Sequence, residues 1–130
     1  MSRENVELIQ RVYEEFGKGE SVEWALDPKV EWHTAADLPD SDVHRGIDAV
    51  AALVRDWLGS FDDLRADVEQ LIDQGDYVVV ALVLRGRIHG TDEEVALPET
   101  HVWKLRDGKA VEVREYRTKE AALEALGASA

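Results

Sequence analysis

The stretch EVALPETHVWKLRDGKAVEVREYR, residues 94–117, points to the architecture. Two segments of alternating hydrophobicity flank Arg106-Asp107-Gly108-Lys109. Asp-Gly between alternating runs is a strong hairpin signal, because both residues tolerate positive φ. In the first segment Val95, Leu97, Glu99, His101, Trp103 and Leu105 share one face. That face is apolar at both ends and ionisable in the middle. An acid and an imidazole two residues apart on an otherwise apolar strand face have the character of a pocket lining.

Working back from the hairpin, YVVVALVL (77–84) is apolar without alternation and predicts a central strand covered on both faces. Helices on one side of a sheet leave its other face wet, so the second cover is expected from another subunit. Upstream of the turn Asp73-Gln74-Gly75-Asp76, Leu64, Ala66, Val68, Gln70 and Ile72 alternate with polar residues and predict a half-buried strand. Residues 47–58 form an amphipathic helix with Ile47, Val50, Leu53, Val54, Trp57 and Leu58 inward. Residues 2–16 form another, through Val6, Ile9, Val12, Tyr13 and Phe16, with Ser2 as its cap.

Residues 21–26 predict a short helix stopped at Asp27-Pro28, and 29–33 a short strand. TAADLPDSDVHR (34–45) reads as an irregular loop bordering the site. Thr118 caps a last helix through residue 126 that packs through Ala121, Ala122 and Leu123. Helices segregated from an antiparallel sheet define an α+β fold, expected as one domain over residues 1–130.

Composition narrows the function classes. The 28 acidic against 15 basic side chains give a net charge of −13, which repels nucleic acids and anionic membranes. With no cysteine, disulfides and thiol catalysis are excluded. The opening MSRENVELIQ has no apolar h-region and no long apolar span follows, so a cytoplasmic location is expected. His33, His44 and His89 share no short ligand spacing, even with Asp37, Asp40 and Asp42 nearby in sequence, so no metal or other cofactor is expected.

The order of elements resembles the nuclear transport factor 2-like (NTF2-like) superfamily, in particular its SnoaL-like and ketosteroid-isomerase-like small bacterial members. The resemblance rests on NVELIQRVYEEFGKGE, Asp27-Pro28-Lys29-Val30-Glu31-Trp32, Arg45-Gly46 and HVWKLRDGKAVEVREY. It implies a cone in which a curved sheet wraps three N-terminal helices around a cavity, with a short C-terminal helix. It also implies a homodimer formed through the sheet. The ketosteroid isomerase machinery is not matched: its base falls on Trp32, its phenolic donor on Val12 with Tyr13 one residue away, and its protonated acid on His101. The epoxide hydrolases' Asp-Arg-Asp set has only an approximate counterpart in Arg114 and Glu115. The polyketide cyclases' late-strand acid/base corresponds to His101 or Glu115.

The candidate site is therefore His101 as acid/base, with Glu99 or Glu115 orienting it. An apolar surrounding favours neutral imidazole, and a neighbouring carboxylate favours the cation. Tyr13, Phe16, Trp32, Trp57, Trp103 and Val113 are the candidate ligand-binding wall. Arg114 and Tyr116, on the other face of the last strand, suit a subunit interface or a helix contact. The expected partner is an apolar small molecule, bound with or without isomerase-, cyclase- or dehydratase-type proton transfer. A non-catalytic dimerisation module is the rival.

Overall fold

A computed structural model describes residues 2–34 and 42–129. The elements follow in the order α1 (Ser2–Gly17), a 3-10 turn (Glu23–Ala25), β1 (Leu26–His33), β2 (Val43–Arg45), α2 (Ile47–Ser60), β3 (Phe61–Gln74), β4 (Tyr77–Ile88), β5 (Glu94–Arg106), β6 (Lys109–Tyr116) and α3 (Lys119–Ser129). One curved six-stranded sheet runs β2-β1-β6-β5-β4-β3. It is antiparallel except where β1 runs parallel to β6. The Asp107-Gly108 hairpin forms as expected, with positive φ at both residues. The side chains of Ser2, Asp37 and Asp40, and the expectations attached to them, lie outside the described residues.

The inner face of the sheet and the two larger N-terminal helices enclose the main core. Ile9, Val12, Val30, Val50, Val78, Val80, Leu82, Trp103 and Val113 are buried there. Fully burying each such side chain contributes about 1.5–3 kcal/mol. The expected second helix shrinks to the 3-10 turn, and the strand after it starts earlier, at Leu26. Asp27 accepts a hydrogen bond from the Lys29 N–H at 2.8 Å. The β1–β6 register shifts between Leu26 and Glu31, so Pro28 sits where no regular ladder donor is needed. The segment read as irregular, 34–45, ends in the strand β2, which pairs Arg45 with Glu31.

Two irregularities bend β3 and correct its predicted alternation. The register slips between Asp62 and Arg65, where Asp63 takes φ 55°, and again between Val68 and Gln70. Each extra residue resets which face the following side chains occupy. After the second slip Leu71 joins the inner core, whereas Ile72 packs on the opposite side and Val68 is exposed. Gly86 lies opposite the first slip. A Cβ there would stand 3.3 Å from the Asp62 carbonyl oxygen, the Leu64 Cα and the Phe61 Cβ.

The outer face of β4, expected to be covered by a second subunit, is covered in part by the chain itself. Ala122 of α3 is fully buried against Val79 and Val102, flanked by Ile72, Tyr77, Tyr116, Leu123 and Leu126. Thr118 caps this helix by accepting the Ala121 N–H at 3.1 Å. Ala121, expected to pack, is exposed, and the helix runs past Gly127. The bend at Gly86 gives a direct test. Gly86→Ala forces β3 and β4 apart and is expected to cost about 1–3 kcal/mol, read as a lower urea midpoint at unchanged slope.

Candidate functional site

Cross-strand register assembles the site. On the inner face Val80, His101 and Glu115 lie opposite one another across β4, β5 and β6. The next inner row is Val78, Trp103, Val113 and, across the parallel pair, Trp32. Helix α1 crosses above this face and lowers Tyr13 onto it. Glu99 lies one inner position from His101 toward the exposed end of β5, where Leu97 is 42% exposed.

A continuous buried hydrogen-bond chain results. Trp103 Nε1–H donates to the Tyr13 hydroxyl at 2.8 Å, and that hydroxyl lies 2.7 Å from His101 Nδ1. His101 Nε2 lies 2.9 Å from Glu99 Oε1. The Glu99 carboxylate can only accept, so Nε2 holds the proton of a neutral ring and the phenol donates to the bare Nδ1. Nδ1 then accepts, and Nε2 carries the proton that is donated to the Glu99 carboxylate. Both ring nitrogens of His101 are thus engaged within the chain, and the ring is only 3% exposed. Burial pushes the Tyr13 phenol well above its ordinary value of 10.0; the Trp103 hydrogen bond acts the other way, and the charges of Glu99 and Glu115 add to the rise. Glu115 accepts from Trp32 Nε1–H at 2.6 Å.

Around this chain the rings meet edge to face. Trp32 stands 5.4 Å from Trp57 at 71°, 5.6 Å from Trp103 at 84° and 5.5 Å from His101 at 76°. They leave a void of about 40 Å³ with a wholly apolar lining surface. Buried Val12, Tyr13, Trp32, Leu82, His101 and Trp103 form its floor. Half-buried Phe16, Val22, Val54, Trp57, Ala66 and Leu84 form its rim. At about 10–15 Å³ per water-sized position, this holds roughly three or four heavy atoms and no polycycle unless the rim moves.

Of the side chains singled out from the sequence, Tyr13, Phe16, Trp32, Trp57, Trp103 and His101 border the void. Val113 is packed in the core beside Trp32 and Trp103 without reaching it. Glu99 and Glu115 stand behind the wall as hydrogen-bond partners of His101 and Trp32. Sequence reasoning did not single out Val22, Val54, Ala66, Leu82 and Leu84 as wall residues, nor the hydroxyl of Tyr13 as the centre of the chain. Val12 was legible from its place beside Tyr13 on the helical stripe. Tyr116 packs against α3, and Arg114 pairs with Glu112 on the outer face.

The remaining histidines are dispersed. His33 lies 3.1 Å from Glu31, which also pairs with Arg45; the His33 hydrogen bond is the main reason the Glu31 carboxyl falls below its usual range. His89 does the same for Asp62. Among the described residues no three His, Asp or Glu side chains converge as a metal site would require. None of the described helices is long and apolar enough to cross a membrane.

This fold defines the NTF2-like class. The SnoaL-like domain model matches residues 9–113, and the chain belongs to that family. Bal32a, from a soil-derived mobile gene cassette, superposes with a TM-score of 0.80 at 19% identity, covering 95% of this chain and 96% of that one. An NTF2-like protein of Burkholderia pseudomallei K96243 gives 0.77 at 24%, covering 95% and 97%. TerC, crystallised with polyporic acid, gives 0.74 at 24%, covering 93% and 96%. No curated protein matches the chain.

The hydrogen-bond chain makes two testable claims. Tyr13→Phe strands the Trp103 N–H and His101 Nδ1 in the interior and is expected to destabilise by about 2–5 kcal/mol in urea titrations. Its pH dependence follows from the raised phenol. The unfolded phenol loses its proton near pH 10 while the folded one keeps it, so the contribution is whole below pH 10 and falls above it. The expected slope is about 1.4 kcal/mol per pH unit in wild type, absent from Tyr13→Phe.

Proposed function

We propose that this chain binds a small, largely apolar molecule in the aromatic void between α1, α2 and the inner sheet face. The observation that carries the reading is the void itself: apolar throughout, yet backed by an ordered chain of ionisable groups. A core built only for stability needs no buried phenol, imidazole and carboxylate in series, since apolar replacements of similar volume serve as well. TerC, a protein of like fold co-crystallised with the small molecule polyporic acid, supports the reading.

Where turnover accompanies binding, proton transfer is the chemistry the groups suit. His101, which borders the void, is then the group placed to exchange a proton with a ligand. Glu99, behind the wall, acts through it as a positioning residue, 2.9 Å from Nε2. The engagement of both His101 nitrogens favours binding over turnover as the resting role. The outer sheet face beyond α3, with Ala96 and Pro98 exposed, suits a homodimer.

A thermal-shift screen against small ketones, phenols, amines and quinones tests the binding reading. A ligand at about a hundred times its Kd adds roughly 2.7 kcal/mol, several degrees for a chain of this size. Trp57→Leu, at the rim, is expected to abolish the shift with little loss of stability. A hit that survives this substitution unchanged places the ligand elsewhere and overturns the reading. Light scattering at twice the monomer mass is the expected result for the dimer.

A further inference from the structure

Four aromatic rings, Tyr13, Trp32, Trp57 and Trp103, line the void. Trp32 packs edge to face on Trp57 and Trp103, and Tyr13 meets Trp103 at 78°. Aromatic faces carry negative partial charge, and several rings around one point attract a cation there. Among the described residues no lysine or arginine lines the void. Two carboxylates stand directly behind it: Glu115 takes the Trp32 N–H, and Glu99 takes the His101 Nε2–H. The chain as a whole carries −13.

The chemistry of the lining narrows the cation further. A primary ammonium brings three N–H donors, and a wall without polar surface leaves them unsatisfied at high cost. A fully alkylated nitrogen has no N–H to satisfy and presents only methyl groups. The volume of about 40 Å³ corresponds to roughly three or four heavy atoms, the size of a trimethylammonium group.

We propose that the void is a cage for a small alkylated ammonium group, bound against the rings of Trp32, Trp57, Trp103 and Tyr13 with Glu99 supplying the countercharge. This rests on the small-molecule reading above and names its ligand class. A neutral alkyl group fills the same space but gains nothing from that carboxylate, so charge is the property that separates the two cases.

The test is a titration of intrinsic tryptophan fluorescence with choline and with 3,3-dimethyl-1-butanol, the same shape with carbon in place of nitrogen, against a sodium chloride control of equal ionic strength. Choline is expected to bind about tenfold tighter or better. Glu99→Gln is expected to remove most of that preference while leaving the alcohol's affinity within about twofold. If Glu99→Gln fails to fold, Trp57→Leu at the half-buried rim replaces it, with choline expected to weaken more than the alcohol. Should the alcohol bind as tightly as choline, the cation assignment is overturned and the small-molecule reading stands. Should neither bind to folded protein, this cage is overturned; the broader reading falls only if the thermal-shift screen is also flat.

Discussion

The Tyr13 hydroxyl, held between the Trp103 indole N–H and His101 Nδ1, is the interaction on which the site depends. It joins α1 to β5 across 88 and 90 positions of sequence and fixes three rings at once. With the Glu99 carboxylate as obligatory acceptor, a neutral imidazole carries its proton on Nε2 and takes the phenol's hydrogen bond at Nδ1. Breaking the link leaves a donor and an acceptor stranded in an interior with no alternative partner, so the arrangement behaves as a unit. Among the described residues no buried side-chain nitrogen or oxygen lacks a partner, as such a network requires.

Around this link the sheet has to curve, and its shape comes from local faults in β3. The slips at Asp62–Arg65 and Val68–Gln70 tilt the strand, and Gly86 lets the neighbouring backbone approach where a Cβ would obstruct it. Curvature brings Ala66, Leu82 and Leu84 onto the void while α2 supplies Val54 and Trp57 from the opposite side. On the outer face α3 covers Val79 and Val102 through the small side chain of Ala122. One short helix thereby covers part of the outer face of the most apolar strand.

Charge is distributed in two zones. On the outer face and the strand ends, acids pair with bases: Asp67 with Arg85, Asp63 with Arg87, Glu31 with Arg45. These exposed pairs contribute little each to stability. On the inner side Glu99 accepts from His101 Nε2–H and Glu115 from Trp32 Nε1–H, which sets two carboxylates behind an apolar surface.

The sequence by itself determined the α+β order, the hairpin at Asp107-Gly108, the buried run 77–84 and the shared face of Glu99, His101 and Trp103. These follow from periodicities of two and 3.6 and from turn chemistry, which are local properties of the chain. Family resemblance added the cone. What only the tertiary structure decided was the meeting of elements far apart in sequence. It gave Tyr13 rather than a carboxylate to His101 Nδ1, sent Glu115 to Trp32, and brought α3 against Val79. It also shifted the faces of β3, because a bulge changes which side every later residue occupies and leaves no mark on the alternation before it. The small size of the void belongs to the same class: side-chain identity sets what lines a cavity, and only packing sets how much space remains.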